Sequence, residues 1–322
     1  MKLATLRNGT RDGRLVVVSR DLGRYVEAGD IAPTLVGALE DWARCEPLLR
    51  ARARGLEAGG GVAFDPREAM APIPRGPQWL DGSAFANHGA LMDKALNRQS
   101  PPANGYPMMY QGASDTFLGP CDDMALPDEA LGIDFEAEFG VVVADTPMGV
   151  TPQEAAGYIK LAVVINDASL RALAGREMDT GFGWIQAKPS TSFAPVAATL
   201  DEFGEAWRGG RFHLPIRVWW NGEWFGEPSG AEMGFGFPEL VAHAARTRRL
   251  SAGTIIGSGT VSNADFRKVG SACIAEKRAV EKIDHGEATL AFMRFGDRVR
   301  IEALDAEGRS VCGAVDQRIV RG

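Results

Sequence analysis

The chain has 322 residues, 45% hydrophobic and 24% charged, the balance of a globular protein able to bury a sizeable core. Its net charge of −7 argues against a nucleic-acid or membrane-surface binder, and no apolar run reaches the ~18 residues a membrane helix needs. With 39 glycines and 18 prolines, many turns and short strands are expected, not a helical bundle.

In chain order, Lys2 to Leu6 and Leu15 to Ser19 read as two strands joined by the turn Asn8 to Gly13. Leu35, Leu39, Trp42 and Leu49 recur at helical spacing, which predicts a helix from Pro33 to Arg54. Gly59-Gly60-Gly61 ends it, and Pro72 to Pro77 reads as a linker or extended entry segment. A helix is expected from Ser83 to Leu96, strands over Ile133 to Val143 and Leu161 to Ile165, and a hairpin over Arg217 to Phe225 turning at Asn221-Gly222. Pro238 to Arg249 reads as a helix with proline in its first turn and arginines at its end, and Arg298 to Leu304 as a late strand. Strand and helix do not alternate regularly, which disfavours a doubly wound sheet.

Cys45, Cys121, Cys273 and Cys312 are too scattered for a zinc site, and scattered thiols suit a reducing cytosol. Met1 to Asn8 has no signal-peptide apolar core. A cytoplasmic location is the expectation.

The most informative stretch is Ile133 to Val143. On a strand, Phe135, Ala137 and Phe139 share one face and Asp134, Glu136 and Glu138 the other. Carboxylates side by side repel unless they meet water, basic groups or a metal ion. A solvated strand face is the alternative. Asp167 stands at the carboxyl end of the apolar run Leu161 to Ile165, where it reads either as a site residue or as a helix N-cap before Ser169. Glu136, Glu138 and Asp167 together form a hard oxygen set suited to Mg²⁺, Mn²⁺ or Ca²⁺.

His88 lies in Asp81 to His88, on the helical face of Phe85 and Met92. It reads either as a packed core histidine or as a base, with Asp81 as a possible cap of its helix. Gly257-Ser258-Gly259-Thr260 follows a strand and can aim N–H groups and a hydroxyl at a carboxylate or oxyanion. A plain tight turn is the alternative there. No Gly-Lys-Ser/Thr follows, so it is not a phosphate loop.

Taken in order, these pieces resemble the fumarylacetoacetate hydrolase family. Phe135-Glu136-Ala137-Glu138 is similar to its metal strand, Asn166 to Arg171 to its Asn-Asp-x-Ser-x-Arg segment, Lys188-Pro189-Ser190 to its lysine segment, and Gly257 to Ser262 to its late glycine-rich loop. The resemblance implies an α+β, β-rich fold. A small N-terminal α+β domain (1–72) would precede a mixed β-sandwich roll catalytic domain (73–322), usually in a homodimer.

It also implies a divalent metal on Glu136, Glu138 and Asp167. Asp81, seven residues before His88, joins them in members that cleave fumarylacetoacetate. His88 becomes the catalytic base with Glu276 as its partner. Lys188 becomes a charge-stabilising catalytic residue. Tyr110, Arg171 and Thr260 become substrate contacts. Neither Lys94 nor Arg98 is assigned to the family's further arginine. Ala174 stands where the family has a glutamine. The implied activity is C–C hydrolysis of a β-diketone acid. Fumarylacetoacetate, at the end of tyrosine breakdown, comes first. Maleylpyruvate or another acylpyruvate comes next, and lyase or isomerase chemistry is the alternative on the same scaffold.

Overall fold

The computed structural model describes residues 1–97 and 104–322. Arg98 therefore lies outside the described residues. The large sheet runs in the order Val62–Ala63, Arg24–Glu27, Arg14–Val18, Lys2–Leu6, Val196–Thr199, Ile159–Asn166, Ala137–Val143, Ile255–Gly257, Trp79–Gly82 and Met109–Gly112. Ile255–Gly257 and Trp79–Gly82 run parallel; the other neighbours on this path are antiparallel. A second sheet has the order Glu223–Gly226, Ile216–Trp220, Arg298–Ala303, Val315–Arg321 and Met124–Leu126. The fold is α+β and rich in strand.

The centre of the large sheet is buried on both faces, which is why its central strands read as continuous apolar runs. Leu161, Val163 and Ile165 enter a core shared with Leu35, Leu39, Trp42 and Leu49 of the N-terminal helices. Ala162 and Val164 point the other way, into a core shared with Ile216, Val218, Val299 and Ile301 of the second sheet. The period of two along a strand makes this division. No helix of the described residues is long and apolar enough to cross a membrane. All four cysteines are free thiols.

Several elements depart from their expected limits. The helix of Pro33 to Arg54 is two helices, Leu35–Glu40 and Trp42–Ala58. Asp41 leaves helical dihedrals, and its carbonyl accepts the Arg44 and Cys45 amides, so it starts the second helix. The helix near Pro238 is Phe237–Ala244 and stops before the arginines. The hairpin turn is as expected: Asn221 and Gly222 take φ of 54° and 82°.

The segment before residue 72 does not form a separate sheet. Lys2, Leu3 and Ala4 pair with Ala198, Ala197 and Val196, so its strands continue the large sheet. The expected strand Ile133 to Val143 is split. Ile133–Asp134 pairs with Ser169–Leu170, and Ala137–Val143 lies in the large sheet. The gap at Phe135-Glu136 gives Asp134, Glu136 and Glu138 three different surroundings.

Candidate active site and metal centre

Asp81, Glu138 and Asp167 come together at one edge of the helix-side face of the large sheet. Trp79 and Ile165, each two residues before an aspartate, point into the helix-side core, which fixes that face. Each of the three buried carboxyls offers an oxygen within 4.8 Å of the others. Neither oxygen of Glu138 has a hydrogen-bond partner among the described residues. Burial, then the charge of Asp167, pushes Asp81 up to about 8. Burial and the charges of Asp81 and Asp167 hold Glu138 well above the usual carboxylate range. Three buried carboxyls within reach of one another, one of them with both oxygens unpaired, fit a hard divalent cation and make a poor site without one.

The glycine-rich loop serves this group in a way the sequence reading did not foresee. Ile255–Gly257 lies between the strands of Glu138 and Asp81, and Gly257 pairs with both Gly140 and Asp81. Having no side chain, Gly257 leaves the space that the Asp81 carboxylate occupies. Gly259, at φ of 74°, donates its N–H to Asp81 Oδ1 at 2.9 Å. Thr260 Oγ1 donates to Glu136 Oε2 at 2.8 Å. The loop is therefore directed at the protein's own carboxylates. Asp81 does not cap the His88 helix; that helix, Ala86–Leu96, has Phe85 at its N-cap and no side-chain cap.

Glu136 stands beside the group of three. Its Oε1 accepts from Ser169 at 2.6 Å and lies 2.7 Å from Arg171 Nη2 and 3.1 Å from Lys188 Nζ. Burial opposes ionisation, but the Lys188 and Arg171 cations outweigh it and hold this carboxyl below the usual range. Asp167 accepts from Tyr110 Oη at 2.5 Å, Lys188 Nζ at 2.6 Å and Thr191 Oγ1 at 2.8 Å. It caps no helix: the following one, Arg171–Thr180, has no side-chain cap. Lys188 Nζ also lies 5.5 Å from the Tyr110 ring and 5.6 Å from that of Trp184. Arg171 Nε donates to Asp134 at 2.8 Å.

His88 and Glu276 are 188 residues apart, yet Nδ1 of the first and Oε2 of the second lie 2.8 Å apart. The imidazole is 18% exposed and the carboxylate fully buried. His88 is thus partly open to solvent, with a buried carboxylate behind it, and is not a packed core histidine. It is also within electrostatic reach of Glu136. Asn87 holds this helix to the glycine-rich loop by donating to Ser262 Oγ at 2.7 Å and the Asn263 carbonyl at 2.8 Å.

All ten candidate residues gather in this region. Tyr110, Thr260 and Arg171 were expected at the substrate; their polar groups here face Asp167, Glu136 and Asp134. Short hydroxyls and a guanidinium beside buried carboxylates satisfy the nearest charge first. The sequence reading gave no role of their own to Asp134, Thr191 and Trp184. The alternation that picked out Glu136 also held Asp134. Trp184, four residues before Lys188, gave no separate signal.

The sequence matches the family description "Fumarylacetoacetate (FAA) hydrolase C-terminal" over residues 78–320, and "Fumarylacetoacetase N-terminal domain 2" over residues 1–75. The chain belongs to the fumarylacetoacetate hydrolase family. Within that family it is 26% identical over 243 residues to a 2,4-didehydro-3-deoxy-L-rhamnonate hydrolase from Sphingomonas sp. (strain SKA58), covering 74% of this chain and 82% of that one. Maleylpyruvate hydrolase from Sphingobium sp. SYK-6, solved with manganese(II) and pyruvate, shares the fold over all of both chains at TM-score 0.67 and 16% identity. Fumarylacetoacetate hydrolase from Exiguobacterium antarcticum does so over all of both chains at TM-score 0.66 and 18% identity.

Proposed function

We propose that this chain is a metal-dependent hydrolase that cleaves a C–C bond in a β-diketone acid. The observation that carries the reading is the 2.8 Å pairing of His88 with Glu276, with His88 within electrostatic reach of Glu136. Tautomerisation and decarboxylation need no base aimed at water; hydrolysis does.

Asp81, Glu138 and Asp167 would hold the cation, with Glu136 beside them. When bound, a Mg²⁺, Mn²⁺ or Ca²⁺ ion supplies a Lewis acid for adjacent substrate oxygens and for an enolate leaving group. Glu276 accepts a hydrogen bond from His88 Nδ1–H, which leaves Nε2 free to take a proton from water. The buried Glu276 carboxylate stabilises the imidazolium that forms. The hydroxide adds to the substrate carbonyl, the C–C bond breaks, and the leaving carbanion takes the proton from the His88 imidazolium. Lys188 helps to keep Glu136 ionised and lends positive charge to the site.

Fumarylacetoacetate, from tyrosine breakdown, is the first candidate substrate, on the seven-residue spacing of Asp81 and His88. A second reading is maleylpyruvate or another acylpyruvate; Ala174, where the family has a glutamine, offers no amide to the far end of either substrate. A homodimer is part of the proposal and is checked by light scattering on the eluted protein.

The test follows the ultraviolet absorbance of enzymatically made fumarylacetoacetate, first with Mg²⁺ and then with EDTA. Metal-dependent decay to fumarate and acetoacetate supports the reading. No decay from a folded, metal-bound protein removes this substrate and moves the assay to acylpyruvates. Carbon dioxide release or tautomerisation alone, across that panel, sinks the hydrolase reading.

A further inference from the structure

We propose that Asp134, which takes no part in the chemistry above, is a positioning residue for the His88–Glu276 pair. The proposal rests on the hydrolytic reading of that pair. Asp134 is fully buried. Its Oδ1 accepts the amide of Ile274 at 2.7 Å, and its Oδ2 accepts the amide of Ala275 at 2.9 Å. Those two residues open the helix Ile274–His285, and Glu276 comes next. One carboxylate thus grips the first turn of the helix immediately before the residue that orients the base. A negative charge is favourable at that end of a helix.

Nothing else in the first turn supplies equal support. The N-cap is Cys273, whose Sγ accepts the Glu276 amide at 3.3 Å, and sulfur is a weak acceptor. Glu276 Oε1 has no partner among the described residues, so the side chain is oriented through Oε2 and His88 alone. A carboxylate with a single hydrogen bond is placed as precisely as the backbone beneath it. Asp134 fixes that backbone.

The same Oδ2 accepts from Arg171 Nε, and Arg171 Nη2 reaches Glu136. Asp134 therefore ties the support of the general base to the support of the acidic group on one rigid element. Strand Ile133–Asp134 pairs with Ser169–Leu170, which leads directly into Arg171. The three donors that meet Asp134 leave no place for an amide NH₂. Asp134→Asn keeps the size, loses the charge and sets a donor against a donor.

The experiment has two readouts. The first is the low-field proton resonance of the His88 Nδ1–H, assigned by its loss in His88→Ala and recorded on the full chain with Mg²⁺. It is expected to broaden or vanish in Asp134→Asn while the far-ultraviolet spectrum is kept. The second is a double-mutant cycle on kcat, with fumarylacetoacetate or the acylpyruvate that the first assay selects. Asp134→Asn alone is expected to lower kcat about ten-fold with KM little changed, and to add nothing in the Glu276→Gln background, because coupled residues are non-additive. An unchanged resonance, or effects that multiply across the cycle, would overturn the proposal. If Glu276→Gln and His88→Ala leave kcat untouched, the hydrolytic reading fails instead, and the resonance still reports whether Asp134 places the pair. Should Asp134→Asn not fold, Asp134→Ser, which keeps one capping oxygen, enters the same measurements with the same outcomes.

Discussion

A Cβ added at Gly257 would lie 2.3 Å from Oδ1 of Asp81. That is far inside van der Waals contact. The same Cβ would meet the buried Trp79 ring at 2.4 Å, so it has no easy way out. The glycine and the carboxylate occupy complementary space on neighbouring strands.

Gly257→Ala is accordingly expected to displace Asp81 from Glu138 and Asp167. Loss of a support next to a metal site typically lowers affinity about 10–100-fold. Titration calorimetry with Mn²⁺ on the folded variant checks this. Unchanged affinity would remove Asp81 from the cation's ligands.

Glu138→Gln separates charge from shape. Glu138 is buried with Asp81 and Asp167 and has no hydrogen-bond donor among the described residues. In EDTA the variant should be at least as stable as the unaltered chain, because a neutral amide replaces a carboxyl whose ionisation burial and its acidic neighbours already oppose. Saturating Mg²⁺ should raise the melting temperature of the unaltered chain, by about 2.7 kcal/mol of stability at 100 times Kd, and raise that of the variant much less. An equal rise in both proteins would place the ion elsewhere.

His88→Ala is expected to lower kcat by about 10²–10⁴-fold, the usual worth of a general base. Mn²⁺ affinity should stay nearly intact, since His88 bonds to Glu276 and not to the group of three. A variant that loses metal and its native spectrum together would show that His88 serves packing.

Leu49→Ala tests the continuity of the large sheet. Leu49 is fully buried in the core that also holds Leu161, Val163 and Ile165. The substitution should cost about 2–5 kcal/mol. Calorimetry should show one shifted transition and not two, because Lys2–Leu6 is hydrogen-bonded into the same sheet as Val196–Thr199 and Ile159–Asn166. A separate early transition would mean that the N-terminal segment unfolds alone.

Much of the site was legible in the sequence because it sits on regular elements. The period of two around Glu138 placed that carboxylate opposite Phe139. The apolar run before Asp167 placed that aspartate at a strand end. The pairing of His88 with Glu276 came from the family resemblance and not from spacing, because no local pattern links residues 188 positions apart.

By itself, the sequence determined the alternation of residue types along its central strands, where the Asn221-Gly222 turn falls, and that side-by-side carboxylates must meet water, basic groups or a cation. Only the tertiary structure decided how those residues are used. It set Thr260 on Glu136, Tyr110 on Asp167 and Arg171 on Asp134, pairings that no local pattern shows. It also joined residues 1–72 to the large sheet. The physical reason is that a periodic pattern fixes a side chain's direction from its own backbone, whereas a hydrogen bond or ion pair forms with whatever group lies within about 3 Å, and that neighbour is supplied by distant chain.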